Sequence, residues 1–130
     1  MGDKKLPGIA SEDIGKCALG IFKAGDQFIG KTLGIAGDHA TGKEMASGFA
    51  KVLGNEVVYN DVPPDVYRSF GFPGADEMGN MFQFKRDFEE DYCKARNLEF
   101  ARSLNPELKS FDNWLSANKE LIVNTFSVKS

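Results

Sequence analysis

Between positions 71 and 84 the chain reads GFPGADEMGNMFQF, with two glycines and a proline in four residues followed by a run of large apolar side chains. Glycine reaches backbone conformations closed to other residues and proline fixes its own φ, so this stretch demands a sharp, specified turn feeding a helix. Met78, Met81, Phe82, Phe88 and Tyr92 recur at helical spacing and predict one long helix that continues to about position 96. Asp76 and Glu77 suit its positive N-terminal end, and Lys94 and Arg96 its negative C-terminal end. A methionine and phenylalanine stripe of this kind reads as the packing face of a core helix rather than as a cofactor box.

The 130 residues suffice for one domain that buries about two-thirds of its unfolded surface. Hydrophobic residues make up 42% and charged ones 27%, a globular balance. A net charge of −3 with scattered lysines and arginines gives no electrostatic footprint for nucleic acid. No apolar run is long enough to span a membrane and no signal-peptide pattern opens the sequence, so a cytoplasmic protein is expected. Cys17 and Cys93 are too few and too far apart for a disulfide framework and read as small reduced apolar residues.

Taken in order, Leu6 to Ala10 is extended, and Ser11 caps a helix whose apolar stripe is Ile14, Cys17, Ala18, Ile21 and Phe22, stopped by Gly25. Positions 31–36 read as a strand. Thr41 and Glu44 form a capping box for a helix with Met45, Phe49, Val52 and Leu53 inward, ended by Gly54. Positions 57–59 read as a second strand, so the three elements predict a parallel βαβ crossover. Pro63 and Pro64 open a brief helix carrying Val66, Tyr67 and Phe70. Leu98, Ala101 and Leu104 form a further apolar face, and Asn105 and Pro106 make a capped turn. Ser110 caps a last helix with Phe111, Trp114, Leu115, Leu121 and Ile122 inward. The expected fold is thus a helix-rich α/β single domain with a small parallel sheet and about five or six helices. Its ordered core spans 6–123, and fraying is expected over 124–130.

Candidate catalytic chemistry is thin. Gly37 to Lys43 imitates a phosphate-binding loop between a strand and a helix, yet Glu44 stands where that loop needs a hydroxyl for magnesium, and its carboxylate would repel phosphate. None of the three tyrosines has a lysine four residues on, so the tyrosine and lysine pair of short-chain reductases is not found. Tyr92 and Arg96 share a helix face and read as a structural pair. His39, the single histidine, reads as a solvated turn residue, and Glu89, Glu90 and Asp91 fan around a helix as a solvated face rather than a metal site.

The turn and helix of 71–84 resemble the signature in the C-terminal lobe of the NmrA-like family, atypical short-chain dehydrogenase/reductase proteins. The likeness continues in order through Ser11 to Gly15, Phe28 to Gly34, Leu104 to Pro106, and Trp114 with Leu115. The family's N-terminal dinucleotide domain, with its glycine-rich first turn, is not matched by this sequence. The resemblance therefore implies NAD(P) for full-length relatives but no cofactor held by this chain. It also implies a ligand or partner cleft at Phe72, Pro73, Gly74, Asn80, Met81 and Phe84. A face left bare by a missing domain would be covered by self-association, a protein partner or a small apolar ligand. The resulting expectation is a truncated, non-catalytic, regulatory or partner-binding domain. The alternative is the substrate-binding lobe of an NAD(P)-dependent reductase, completed by a dinucleotide domain on another chain.

Overall fold

In the computed structural model, which describes residues 1–127, strand β1 (Leu6–Gly8) leads into helix α1 (Ser11–Lys23) and a 3-10 turn at Gly25–Phe28. Strand β2 (Asp38–Ala40) then enters α2 (Gly42–Leu53) and α3 (Pro64–Ser69). Helices α4 (Ala75–Asp87), α5 (Glu89–Lys94), α6 (Leu98–Leu104), α7 (Phe111–Ala117) and α8 (Lys119–Ser127) complete the described chain. The domain is α/β and helix-rich.

The sheet corrects the expected parallel crossover. β1 pairs with β2 in antiparallel register, with Leu6 opposite Ala40, Pro7 opposite His39 and Gly8 opposite Asp38. Neither 31–36 nor 57–59 forms a strand. The first of these segments passes from the surface at Lys31 and Thr32 inward to Ala36, and just after it the Gly37 amide donates to the Gly8 carbonyl of β1 at 2.7 Å. Its apolar residues satisfy burial, while the backbone ladder begins one step later. The second segment is used through side chains, since the Tyr59 ring lies against Gly42 and its hydroxyl donates to Asp61 at 3.2 Å.

The core joins α1 to α6, with Cys17, Ala101 and Leu108 buried and Ile9, Ile35 and Leu104 packed around them. This rotates α1 from its expected stripe: Asp13 and Cys17 are fully buried, whereas Ile14 is 48% and Phe22 79% exposed. The cause is a polar clasp. The Asp13 carboxylate accepts from the Asn105 amide at 3.2 Å and from the Lys109 backbone at 2.9 Å. Ser11 consequently does not cap; Ala10 occupies the cap position without a side-chain bond.

The local signals at α2, at the 105–107 turn and at α7 are found as expected. The Thr41 hydroxyl accepts from the Glu44 amide at 3.1 Å, and the Glu44 carboxylate accepts from the Thr41 amide at 2.9 Å. Gly54 closes α2 at φ 71°, in the left-handed region. Asn105 Oδ1 accepts from the Glu107 amide, and Ser110 Oγ from the Asn113 amide. Thr41→Ala is expected to lower stability by about 1 kcal/mol in urea unfolding, through loss of the reciprocal cap.

α2 packs on α7 and α8 through Gly48, which lies under Leu115 and Phe111, and through the edge-on pair Phe49 and Phe111 with centroids 5.6 Å apart. The expected single last helix breaks at Asn118 (φ −110°), leaving Ile122 buried and Leu121 exposed. Helix α8 extends through Ser127, and the remainder of the tail expected to fray, positions 128–130, lies outside the described residues.

Candidate functional site

The demanded turn is present. Gly71 (φ 68°) and Gly74 (φ 88°) are both left-handed, and the Ala75 amide donates to the Phe72 carbonyl at 3.0 Å, closing the bend directly before α4. A side chain at either glycine would strain the backbone. The turn sets α4 against α3, with which it makes its main helix contact.

α4 does not bury the stripe that the sequence suggests. Its buried residues are the small ones, Ala75 and Gly79, with Phe82 and Gln83 half-buried beside them. Small residues let α3 approach: a β-carbon added at Gly79 would lie 2.6 Å from Arg68 Cγ. Arg68 then fastens the pair, its guanidinium donating to Asn80 at 3.1 Å, to Gln83 at 2.8 Å, and to Asp65. Met78, Met81, Phe84 and Phe88 are all exposed, between 38% and 53%. The expected continuous helix to position 96 is also interrupted, at Phe88 (φ −114°). There Phe84 lies 4.9 Å from Phe88 and 6.5 Å from Tyr92, while the Arg96 guanidinium covers the Tyr92 ring at 3.7 Å.

The six expected cleft residues therefore divide. Phe72 packs edge-on to Tyr67 at 5.7 Å, and Pro73 and Gly74 build the turn. Asn80 is held by Arg68, and Met81 and Phe84 stand on the outer face. None of the six lines the concave site on the other side of α4.

That site is a cavity of about 280 Å³ between β1, α2, α3, α4 and the 59–62 segment, walled by Leu6, Met45, Tyr59, Val62, Tyr67 and Phe82. Gly42 and Gly79 form its closest-packed walls, and Lys4 and Asn60 stand among the lining residues. Tyr67 meets Phe82 edge-on at 5.8 Å. Burial first, and the bond to Asp61 second, push the Tyr59 hydroxyl above the usual phenol range, so it stays protonated as a hydrogen-bond donor. Sequence reasoning placed Met45 and Tyr67 inward but missed the cavity. Its signal would have been the two helical glycines, each unfavourable in a helix unless something must come close.

Other candidate groups are accounted for by the fold. His39 is no solvated turn residue: its Nε2 lies 2.8 Å from the Arg96 carbonyl, and its amide donates to Asp38. At the start of α2 the Glu44 carboxylate accepts from the Thr41 amide, which is the role of a capping residue. Burial pushes the Cys17 and Cys93 thiols up, which keeps them protonated and poor nucleophiles at neutral pH. Among the described residues no cluster of histidine, cysteine and carboxylate groups could hold a metal, and no helix is long and apolar enough to cross a membrane.

The NmrA-like family model matches residues 1–115, a span that includes the glycine-bounded turn, both faces of α4 and the aromatic cavity. Matched over most of its length, the chain belongs to the NmrA-like family.

Proposed function

We propose that this chain is a non-catalytic, regulatory binding domain of the NmrA-like family, and that the outer face of α4 docks on α4 of a second copy. The exposed stripe of Met78, Met81 and Phe84 carries the reading, because apolar groups in that arrangement gain from leaving water. Helical geometry puts Met81 at the centre of the face, flanked at about 60° by Met78 and Phe84, with Glu77 and Lys85 one turn above and below Met81. An in-plane two-fold axis at Met81 sets Met78 opposite Phe84, so the apolar side chains of the face meet their own kind on the second copy.

Sedimentation equilibrium of the full chain tests this. A particle of twice 14.3 kDa at micromolar concentration is expected, converted to monomer by Met81→Glu with Phe84→Glu while the circular dichroism is retained. A wild-type monomer throughout that range refutes the docking. Saturable binding of NADPH by the chain alone, read by calorimetry, refutes the non-catalytic reading.

The cavity on the inner side of α4 favours a second reading, in which the chain is the substrate-binding lobe of an NAD(P)-dependent reductase completed by a dinucleotide domain from another chain. In that case the aromatic walls hold the apolar part of the substrate.

A further inference from the structure

We infer that the half-open cavity bordered by β1, α2, α3, α4 and the 59–62 segment binds one small, uncharged, planar aromatic molecule of bicyclic size with a single hydrogen-bonding edge. As a statement of substrate class this rests on the reductase-lobe reading; as a statement of binding it does not, since every wall belongs to this chain.

Size comes first. An apolar protein cavity of about 150 Å³ holds one benzene, so a cavity of about 280 Å³ accommodates two fused rings. Shape follows from the walls. Tyr59, Tyr67 and Phe82 present three rings, two of them edge-on to each other at 5.8 Å, and aromatic pairs favour such edge-to-face and offset contacts. Met45, Val62 and Leu6 add apolar surface without polar groups that a ring system would leave unpaired.

The space is held open. Tyr59 could fill it by swinging inward, but its ring rests on Gly42 so closely that an added β-carbon would stand 2.5 Å from it, and its hydroxyl is tied to Asp61. Tyr67 is braced by Phe70 at 5.8 Å and Phe72 at 5.7 Å. Both rings are held by their neighbours, which leaves the cavity as a preformed concavity rather than slack packing.

Polarity sets the rest of the ligand. Asn60, an exposed residue on the cavity's lining, bonds to no other described residue, so its donor and acceptor face water until a guest displaces it. Lys4 also lines the site, but its ammonium lies 3.6 Å from the Glu89 carboxylate. With that charge already balanced, a neutral guest is favoured over a carboxylate.

The probe is 2-naphthol, titrated into the full chain and read by calorimetry and by amide chemical-shift mapping. One site per chain with a Kd on the order of 0.1 mM is expected from a ligand of this size. Val62→Phe, which fills the cavity, is expected to weaken binding at least tenfold without lowering Tm. Asn60→Ala is expected to weaken 2-naphthol by roughly threefold to tenfold and naphthalene far less. 2-Naphthoate is expected to bind more weakly than 2-naphthol. Should Val62→Phe fail to fold, the shift map of the unaltered chain decides: changes centred on Gly42, Val62 and Gly79 support the site, and changes centred elsewhere overturn it. Absence of saturable 2-naphthol binding at millimolar concentration also overturns it. 2-Naphthol offers no acceptor for a hydride, so its titration reads binding alone; absence of turnover of a bicyclic aromatic ketone that binds the same site, when a dinucleotide-binding domain and NADPH are added, refutes the reductase-lobe reading and leaves the site standing.

Discussion

Asp13→Ala is expected to cost about 3 kcal/mol of folding stability and to lower Tm by about 10 °C, more than any exposed substitution on the same helix. Asp13 is fully buried, yet both carboxylate oxygens are used: Oδ1 accepts from Asn105 Nδ2 and Oδ2 from the Lys109 amide. Alanine leaves two donors in the interior without an acceptor, and one of them is a backbone group that cannot turn away. Because Asn105 is itself only 4% exposed and shapes the bend before α7, the loss should spread from α1 into the 105–110 loop. The comparison is Glu12→Ala, which removes only the exposed contact between Glu12 and the Lys109 ammonium and should leave Tm close to wild type. Paired urea and thermal unfolding of the two variants checks the expectation. Equal effects would mean that the clasp is not what seats α1.

Gly20→Ala is expected to be as damaging, about 3 kcal/mol, for a steric reason. A β-carbon at position 20 would stand 2.1 Å from the Leu104 carbonyl oxygen and 2.9 Å from its α-carbon. Backbone cannot yield as a long side chain can, so α1 and α6 must separate, opening the cluster of Cys17, Ala101 and Leu108. Gly15→Ala is the internal control. It lies on the same helix with nothing within 4 Å of an added β-carbon, and alanine there should stabilise by about 0.5–1 kcal/mol. Opposite signs for one chemical change, five residues apart on one helix, would isolate the close approach from helix propensity. Matching signs would refute it.

Both positions show where reading the sequence stopped. Asp13 reads as a first-turn acid complementing a helix dipole, a local role that any exposed carboxylate fills; its partners lie more than ninety residues away in sequence. Gly20 reads as a weakness within a helix. Neither residue carries a local mark of what approaches it.

The candidate site divides in the same way. The turns at Gly71 and Gly74 and at Asn105, the caps at Thr41 and Ser110, and the pairing of Tyr92 with Arg96 were all legible, since each depends on residues within one turn of each other. The amphipathic period of α4 was legible too, but not which of its faces would be covered. Periodicity measures apolar side chains, whereas close helix packing here selects the small ones: Ala75 and Gly79 admit α3, and the large stripe of Met78, Met81 and Phe84 is left outside.

By itself, then, the sequence determined the bend at Gly71 and Gly74, both ends of α2, the start of α7, and that the fold is helix-rich α/β, because those choices rest on backbone conformation and on hydrogen bonds between near neighbours. Tertiary structure alone decided the antiparallel pairing of Leu6–Gly8 with Asp38–Ala40, the burial of Asp13, the open face of α4 and the aromatic cavity behind it. Those depend on which distant surfaces fit closely enough to exclude water, and residues far apart in sequence fix that fit jointly.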